Sequence, residues 1–362
     1  LALKEREILL SAFPQISWPM RFLLPCHRDM RFDSDTPTSR LLSFVMPWMK
    51  GRWPAWLIRL GLSLCDHLGR GKIIPGTSTL DLASCSEGTP LQDKFSKVCE
   101  YSDCWVEDAR LVALNARDAK LRDADILTHT KVTRAERKKE VWEVARDNGQ
   151  THFTRTLVNP GGPWVAEIAR GAIRQNSKDS ARLIRGSHIV TKKLFDHEKC
   201  YFFQGTDGRI IFAIPYETGF TLIGTTDSDH PDPSTVPECS PEEADYLGRF
   251  ASQYIKKTIS KNEIVWTYSS VRRFYDNGAA SATAATRDYV LEFDTNGAPL
   301  LNVLGGKITT NRKLSELAVE KIAEGTETWS AGAALPGDEF PVDGVRTLIE
   351  GLLSDYSFLT PR

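Results

Sequence analysis

The stretch LLNVLGGKITT, residues 300–310, decides how the rest of this sequence is interpreted. Its first five residues are a short apolar run bounded by turn residues, and this pattern predicts a buried strand. Gly305 and Gly306 follow, and they let a ligand approach the backbone where a Cβ atom would block it. A helix that starts here presents its positive end to a phosphate or an electron-rich ring, and Lys307 adds a full charge. An ordinary strand-to-helix turn is the alternative that the local sequence leaves open.

A helix is predicted directly behind this turn. Thr309 and Thr310 stand where a hydroxyl group can cap its first turn. The apolar residues beyond them recur at the i, i+3, i+4 and i+8 spacing of one helix face: Leu314, Leu317, Ala318 and Ile322. The whole stretch is therefore predicted to form a strand, a glycine turn and an amphipathic helix.

Composition and charge exclude several function classes. The 362 residues suffice for two domains, and the apolar, aromatic and charged fractions are those of a globular protein. A net charge of −1 gives no basic field, so a nucleic-acid partner is not expected. The seven cysteines are odd in number and form no C-x-x-C pair, so no metal site is predicted. No apolar run approaches the ~20 residues that a membrane-spanning helix needs.

Residues 41–64, LLSFVMPWMKGRWPAWLIRLGLSL, combine three tryptophans with basic residues on an apolar background. Such a segment suits a membrane surface, because indole rings lie at the headgroup level and cations meet anionic lipid. A buried cap helix after a loop is the alternative.

Two kinds of sheet are predicted in the rest of the chain. A short strand ending near Asn159 runs into the glycine turn of residues 160–164, and ligands of open α/β sheets lie at such carboxyl ends of strands. A further strand is predicted over residues 126–132, and a helix from Pro241 to about Lys257. Apolar runs predict an antiparallel sheet at residues 186–190, 210–215, 220–227 and 264–272.

Seven short stretches, taken together and in order, resemble the quinone-linked, FAD-dependent glycerol-3-phosphate dehydrogenases. They are SWPMRF (17–22), YSDCWVEDARL (101–111), LIRGSH (183–188), IGTTD (223–227), IVWTYS (264–269), TRDY (286–289) and GGK (305–307). Each stretch is weak alone, but the family's order is kept from residue 1 to about residue 340. On this resemblance the chain is identified as a member of that family, truncated at both ends.

The family pattern is not matched throughout. A complete member begins with a strand and G-x-G-x-x-G, which holds the FAD pyrophosphate, and this chain is expected to begin downstream of it. The family's N-A-T-G-P-W is N-P-G-G-P-W here, so Pro160 removes a backbone N–H and Gly161 removes a hydroxyl. Asn311 stands where the family usually has tyrosine, and Arg273 where it usually has proline.

The resemblance implies an α/β fold of mixed α+β character. In it, a Rossmann-like FAD-binding domain that lacks its first βαβ unit is interleaved with an antiparallel substrate-binding, or cap, domain. The implied boundaries are a connecting segment with a membrane-facing loop over 1–98, parts of the FAD-binding domain over 99–172 and 273–330, the substrate-binding domain over 173–272, and the start of a C-terminal helical domain over 331–362.

The function that the resemblance implies is oxidation of sn-glycerol 3-phosphate to dihydroxyacetone phosphate. A hydride passes to FAD, and the electrons go on to a membrane quinone. The protein is expected to be cytoplasmic and peripheral on the cytoplasmic membrane, and a homodimer is left open. Two alternatives stay: a related FAD-dependent amine or hydroxy-acid oxidase, and a truncated, non-catalytic fragment that cannot hold FAD.

Oxidation of a secondary alcohol needs a group that takes the hydroxyl proton, and a phosphate dianion needs cations, preferably guanidinium groups. The resemblance places Arg272, Arg287 and Lys307 at the substrate; surface arginines at strand ends are the alternative. His188 is the candidate base, since an imidazole titrates near neutral pH, and a structural histidine is the alternative. The predicted catalytic residues are His188, Arg272 and Lys307. The expected cofactor-binding residues are Gly162, Trp164, Gly305, Gly306, Lys307, Thr309 and Thr310.

Overall fold

A large, mostly antiparallel sheet forms the centre of the molecule in a computed structural model that describes residues 2–26, 58–64, 73–175, 181–205, 209–275, 289–337 and 344–360. The strands are, in chain order, β1 (Ser17–Pro25), β2 (Ser78–Asp81), β3 (Lys97–Val106), β4 (Val132–Lys138), β5 (Val141–Arg146), β6 (Thr151–Thr154), β7 (Leu157–Asn159), β8 (Ala181–Lys192), β9 (Cys200–Gln204), β10 (Ile210–Tyr216), β11 (Phe220–Gly224), β12 (Ser228–Asp229), β13 (Ile264–Tyr275), β14 (Val290–Asp294) and β15 (Leu300–Leu304). The helices named below are α1 (Ala2–Ala12), α2 (Asp108–Leu121), α3 (Val165–Gly171), α4 (Pro241–Ser252), α5 (Asn311–Ile322) and α6 (Val345–Asp355).

The large sheet has the strand order β12-β8-β11-β10-β9-β1-β3-β2, and β13 also pairs with β8. Neighbouring strands run antiparallel except β1 and β9, which are parallel. The long pairing of β8 with β13 sets Tyr268 opposite His188 and Arg272 opposite Ile184. The register of this one ladder therefore brings two of the predicted catalytic residues onto adjacent strands.

The main hydrophobic core lies between the large sheet and α4. Leu247 of α4 and Ile189 of β8 are both fully buried in this core. A capping box starts α4: the Ser240 hydroxyl accepts from the Glu243 backbone N–H, and the Glu243 carboxylate accepts from the Ser240 N–H. Because side chains alternate along a strand, His188 points away from the face on which Ile189 is buried. The face opposite α4 is thus available for a site.

A smaller sheet with the order β14-β15-β7 lies against β13 of the large sheet. β15 pairs in parallel with β7, so that Leu300 is opposite Leu157 and Asn302 is opposite Asn159, and it pairs antiparallel with β14. Leu300 is buried with Trp142, which belongs to a third sheet of order β4-β5-β6. The strand, glycine turn and helix predicted over residues 300–322 are confirmed, as is the mixed α/β fold.

Two element predictions are wrong. The strand expected over residues 126–132 instead begins at Val132 as β4, because the apolar side chains of Ile126 and Leu127 are exposed and pack against no core. The helix expected to reach Lys257 ends at Ser252, whose hydroxyl accepts from the Ile259 backbone N–H at 2.9 Å and turns the chain.

Segments outside the predicted antiparallel region also join the large sheet. β1, β2 and β3 come from residues assigned above to the connecting segment and to the FAD-binding domain, and they extend the sheet by three strands. The domain boundaries stay a prediction. The tryptophans of residues 48–56 and Arg287 lie outside the described residues. Among the described helices, none has the length and apolar character that crossing a bilayer requires.

Candidate active site

The loops after β7 and β15 are fixed to one another by a buried pair of asparagines. Asn159 Nδ2 donates to Asn302 Oδ1 at 3.0 Å and to the Val165 carbonyl oxygen at 2.9 Å. Both asparagines are buried, so these hydrogen bonds satisfy groups that water does not reach. Because β7 and β15 are parallel, their carboxyl ends meet at one edge of the sheet, where α/β folds bind ligands.

Glycines with left-handed backbone conformations form the turns at this edge. The φ angles are 54° at Gly162, 73° at Gly305 and 112° at Gly306. A Cβ atom added at Gly306 would lie 3.2 Å from Leu314 Cδ2, which packs beneath the turn. Side chains are therefore disfavoured at both turns, and the backbone stays open to a ligand, as a cofactor cradle requires. Trp164, about half exposed, stands at the end of the first turn.

The helix start behind Gly306 differs in one detail from the prediction. Thr310 occupies the N-cap position of α5, but its hydroxyl donates to the Lys307 carbonyl oxygen at 3.2 Å and does not cap the helix. The Asn311 side chain accepts from the Arg312 backbone N–H instead. Lys307 is exposed and Thr309 is half-buried at this turn. The predicted positive charge therefore stands at the edge where the two strands end.

His188 lies on β8 of the large sheet, and Gly224 of the neighbouring strand leaves space for its ring. Its ring stacks on Tyr268 with a centroid distance of 4.8 Å and an interplanar angle of 6°. A Cβ atom at Gly224, on the other neighbouring strand, would overlap the imidazole. Burial, and next the charge of Arg272, lower the pKa of His188 to about 4. The ring is therefore neutral at pH 7 and able to accept a proton.

Within the described residues, the buried Nδ1 atom of His188 is unpaired, as are the Nδ1 atoms of His197 and His230. Buried polar atoms in native proteins are nearly always paired, because an unpaired one costs about 1–3 kcal/mol.

Arg272 lies near His188 and is held from two sides. Its Nη2 atom forms an ion pair with Asp227 Oδ1 at 2.5 Å. A Cβ atom added at Gly186 would lie 2.9 Å from the same Nη2 atom. The guanidinium therefore rests over β8, where only a glycine leaves room for it.

A cleft of about 990 Å³ lies next to both His188 and Lys307. Tyr268, the stacking partner of His188, lines it, and so does Ile308, the residue after Lys307. Its walls are rich in aromatic side chains, contributed by Trp18, Trp105, Tyr216 and Trp266. The first glycine turn lines a separate hollow of about 640 Å³, which Asn159, Gly161 and Trp164 border.

The structure brings together most of the residues that the sequence singled out. His188 and Arg272 lie together on the large sheet, and β13, which carries Arg272, contacts both β15 and the turn that holds Gly162 and Trp164. Sequence reasoning gave no role to the residues that position them, which are Gly186, Gly224, Asp227, Tyr268, Asn159 and Asn302. A glycine inside a strand pattern, as at 186 and 224, is the signal that marks a close approach.

Comparison with known proteins identifies the family and several relatives of this chain. The family model described as FAD dependent oxidoreductase matches residues 2–312. The chain is 41% identical to D-erythritol 1-phosphate dehydrogenase of Brucella abortus (strain 2308), covering 99% of this chain and 69% of that protein. It is 38% identical to the aerobic glycerol-3-phosphate dehydrogenase of Escherichia coli (strain K12), covering 98% of this chain and 66% of that protein.

A solved structure shares the fold. The glycerol-3-phosphate dehydrogenase from Bacillus halodurans, complexed with FAD, superposes with a TM-score of 0.69 at 21% sequence identity, and the match covers 98% of this chain and 62% of that one. The chain thus spans about two thirds of the length of these relatives. At this low identity the structural match establishes the fold alone.

Proposed function

This chain belongs to the family of FAD-dependent oxidoreductases, and we propose that it oxidises the secondary alcohol of a polyol phosphate. The observation that carries the proposal is that His188 and Arg272 lie on the adjacent strands β8 and β13, each packed against a glycine, beside Tyr268 of the cleft. A neutral imidazole and a guanidinium serve the two halves of such a substrate, its hydroxyl and its phosphate.

The cofactor residues of the proposal are those at the carboxyl edge of β7 and β15. The turns at Gly162, Gly305 and Gly306 expose backbone without a Cβ atom in the way, and this cradle fits a flat ring system. Lys307 and the start of the helical segment behind it supply positive charge for an electron-rich edge. When bound, FAD supplies the hydride acceptor.

The protein's own residues bind the substrate and move its proton. Arg272 holds the phosphate, since guanidinium groups pair with phosphate oxygens through parallel N–H donors. His188 accepts the hydroxyl proton on its imidazole ring, which its low pKa keeps uncharged at neutral pH. Tyr268 stacks on the imidazole and orients it beside the cleft that Tyr268 lines. Arg287 and Lys307 complete the proposed set of substrate cations.

Two substrates fit the proposal. Glycerol 3-phosphate, oxidised to dihydroxyacetone phosphate, follows from the resemblance and from relatives at 38–39% identity. A four-carbon polyol phosphate is the second candidate, because the relative at 41% identity is named for D-erythritol 1-phosphate. Transfer of electrons to a quinone, and attachment to the cytoplasmic face of a membrane, belong to the same proposal.

The experiment is flavin reduction without oxygen. We would load the full-length protein with FAD, remove the excess, and record the flavin spectrum after adding glycerol 3-phosphate, erythritol 1-phosphate or glycine. Bleaching by a polyol phosphate alone supports the proposal, and the faster of the two phosphates identifies the substrate. Bleaching by the amino acid, with rapid reoxidation by oxygen, would show the oxidase alternative. A folded protein that retains no flavin would show the non-catalytic alternative.

A further inference from the structure

We propose that Asp227 is a positioning residue, which holds the Arg272 guanidinium beside His188 in the orientation that receives the phosphate. The inference rests on the proposed function and adds a residue to it. Its starting point is the contact between Asp227 Oδ1 and Arg272 Nη2 at 2.5 Å. About two-thirds of the Arg272 side chain and three-quarters of the Asp227 side chain are buried, so this pair is screened less than an exposed one.

The backbone of β8 beneath the Arg272 guanidinium restricts the position of this group. At Gly186 a Cβ atom would lie 2.9 Å from Arg272 Nη2 and 2.6 Å from Thr225 Oγ1. The guanidinium thus lies directly on the backbone of β8, between that glycine and the segment that carries Asp227. A side chain at residue 186 would force Arg272 away from both.

Hydrogen bonds of both neighbouring residues hold the segment that carries Asp227. The hydroxyl of its buried neighbour Thr226 accepts from the Ser187 backbone N–H at 3.0 Å and donates to Glu243 Oε1 at 3.0 Å. On its other side, the Ser228 hydroxyl donates to the same carboxylate oxygen at 3.1 Å. Residues 226 and 228 are therefore anchored to α4, and the carboxylate between them is fixed relative to the main core.

A fixed guanidinium binds an anion better than a mobile one. An arginine side chain populates many rotamers in solution, and ordering it when a ligand binds lowers the affinity. The ion pair with Asp227 orders Arg272 before a ligand binds. The side-chain entropy of Arg272 is therefore lost when the protein folds and not when the phosphate binds. The negative charge of Asp227 acts in the opposite direction, since it repels a phosphate. These two effects predict opposite outcomes when the charge is removed, and the positioning role is therefore testable.

The test compares two charge-neutralising substitutions in the full-length protein loaded with FAD. Asp227→Asn removes the partner of Arg272. Asp229→Asn is the matched control, because Asp229 lies two residues further along and forms an ion pair with Arg182, at 2.6 and 2.8 Å, away from the cleft. Calorimetry measures the Kd for glycerol 3-phosphate and erythritol 1-phosphate, flavin reduction measures KM and kcat, and circular dichroism checks folding.

A positioning role predicts that Asp227→Asn raises Kd and KM together by about tenfold or more, while kcat changes by less than about threefold. Asp227→Glu, which keeps the charge, should recover part of the affinity, and Asp229→Asn should leave it unchanged. An unchanged or lower Kd in a folded Asp227→Asn protein would overturn the inference, because charge repulsion would then dominate. If the unsubstituted protein binds neither polyol phosphate, the proposed function is wrong and the inference falls with it.

Discussion

At the scale of single residues, two glycines on adjacent strands make room for both candidate catalytic side chains. Gly224 lies against the ring of His188, and Gly186 lies against the guanidinium of Arg272. Neither glycine has a left-handed backbone conformation, so both are needed for space and not for backbone freedom. The absence of a side chain at Gly186 and at Gly224 therefore shapes the site as much as His188 and Arg272 do.

Removal of this space gives the first prediction. Gly224→Ala places a methyl group in the volume of the imidazole, so we expect a loss of about 1–3 kcal/mol in the free energy of unfolding and displacement of His188. Gly219→Ala is the control, because a Cβ atom there meets nothing within 4 Å. Urea unfolding and flavin reduction by glycerol 3-phosphate measure the two effects. Equal results for both alanine variants would contradict the close packing of His188 on Gly224.

The buried histidine gives a prediction for pH. Burial and the charge of Arg272 lower the pKa of His188 to about 4, whereas the unfolded chain takes up the proton near 6.5. Its contribution to stability is therefore present above pH 6.5 and is lost as pH falls from 6.5 to 4, by at most on the order of 3 kcal/mol. His188→Gln should make stability less dependent on pH in this window, as urea unfolding at several pH values would show.

His152→Gln is the matched control, because His152 is exposed on β6. It should leave the pH dependence of unfolding as it is in the unsubstituted protein. If the two variants have the same profile, His188 is not a buried neutral histidine, and its assignment as a base loses its support.

At the scale of elements, the parallel pair β7 and β15 places the two glycine turns side by side. The sequence predicted both strands and both turns, because short apolar runs followed by glycines are local signals. It did not predict that the strands are neighbours, since Asn159 and Asn302 are far apart in the chain and only the fold pairs them. The asparagine bridge is thus a tertiary feature with no local signature.

Breaking the bridge should loosen the edge that we propose for the cofactor. Asn302→Ala leaves Asn159 Nδ2 with one fewer acceptor in a buried place, and we expect a loss of about 1–3 kcal/mol in the free energy of unfolding. The variant should also retain less FAD after gel filtration. Asn262→Ala, at an exposed position of the turn before β13, should change neither quantity. Full FAD retention in the Asn302 variant would show that the bridge does not shape this edge.

Strand β4 was predicted at the wrong residues, and its sequence explains the error. Apolar residues favoured residues 126–132, but the strand carries the charged sequence of Val132–Lys138. On its solvent face Arg134 contacts Glu136 of the same strand at 3.0 Å and Glu143 of β5 at 3.2 Å. Only Ala135 is buried on the other face. Apolar periodicity cannot detect a strand whose exposed face is held by ion pairs.

At the scale of the whole molecule, the site is assembled from segments that only tertiary structure brings together. Residues of β1, β3 and β13 line the cleft, together with Ile308 of the turn after β15. The sequence identified His188, Arg272 and the glycine turn, because each belongs to a recognisable motif. It did not predict that Trp18 of β1 and Trp105 of β3 stack with their ring centroids 6.4 Å apart, since only the pairing of these two strands brings them together.

A buried ion network joins the two ends of this assembly. Arg312, in the first turn of α5, pairs with Glu5 of α1 through two hydrogen bonds of 2.7 and 2.9 Å, and it also contacts Glu316. Only 3% of Glu5 is exposed, so its charge depends on this partner. Since α1 leads directly into β1 of the large sheet and α5 follows the Gly305–Gly306 turn, the network fixes the proposed cofactor edge to the large sheet.

Removal of the shared arginine is the prediction that belongs to this scale. Arg312→Ala leaves the Glu5 carboxylate buried without its partner, and we expect a loss of about 3–5 kcal/mol in the free energy of unfolding. The double variant Glu5→Leu, Arg312→Leu should recover much of this loss, because residue 5 then has no carboxylate to bury and Glu316 keeps its ion pair with Lys313. Arg249→Ala, which breaks the exposed pair with Asp245, should cost less than about 0.5 kcal/mol. Urea unfolding measures all three, and a loss in Arg312→Ala no larger than in Arg249→Ala would show that the two sheets are held together without this network.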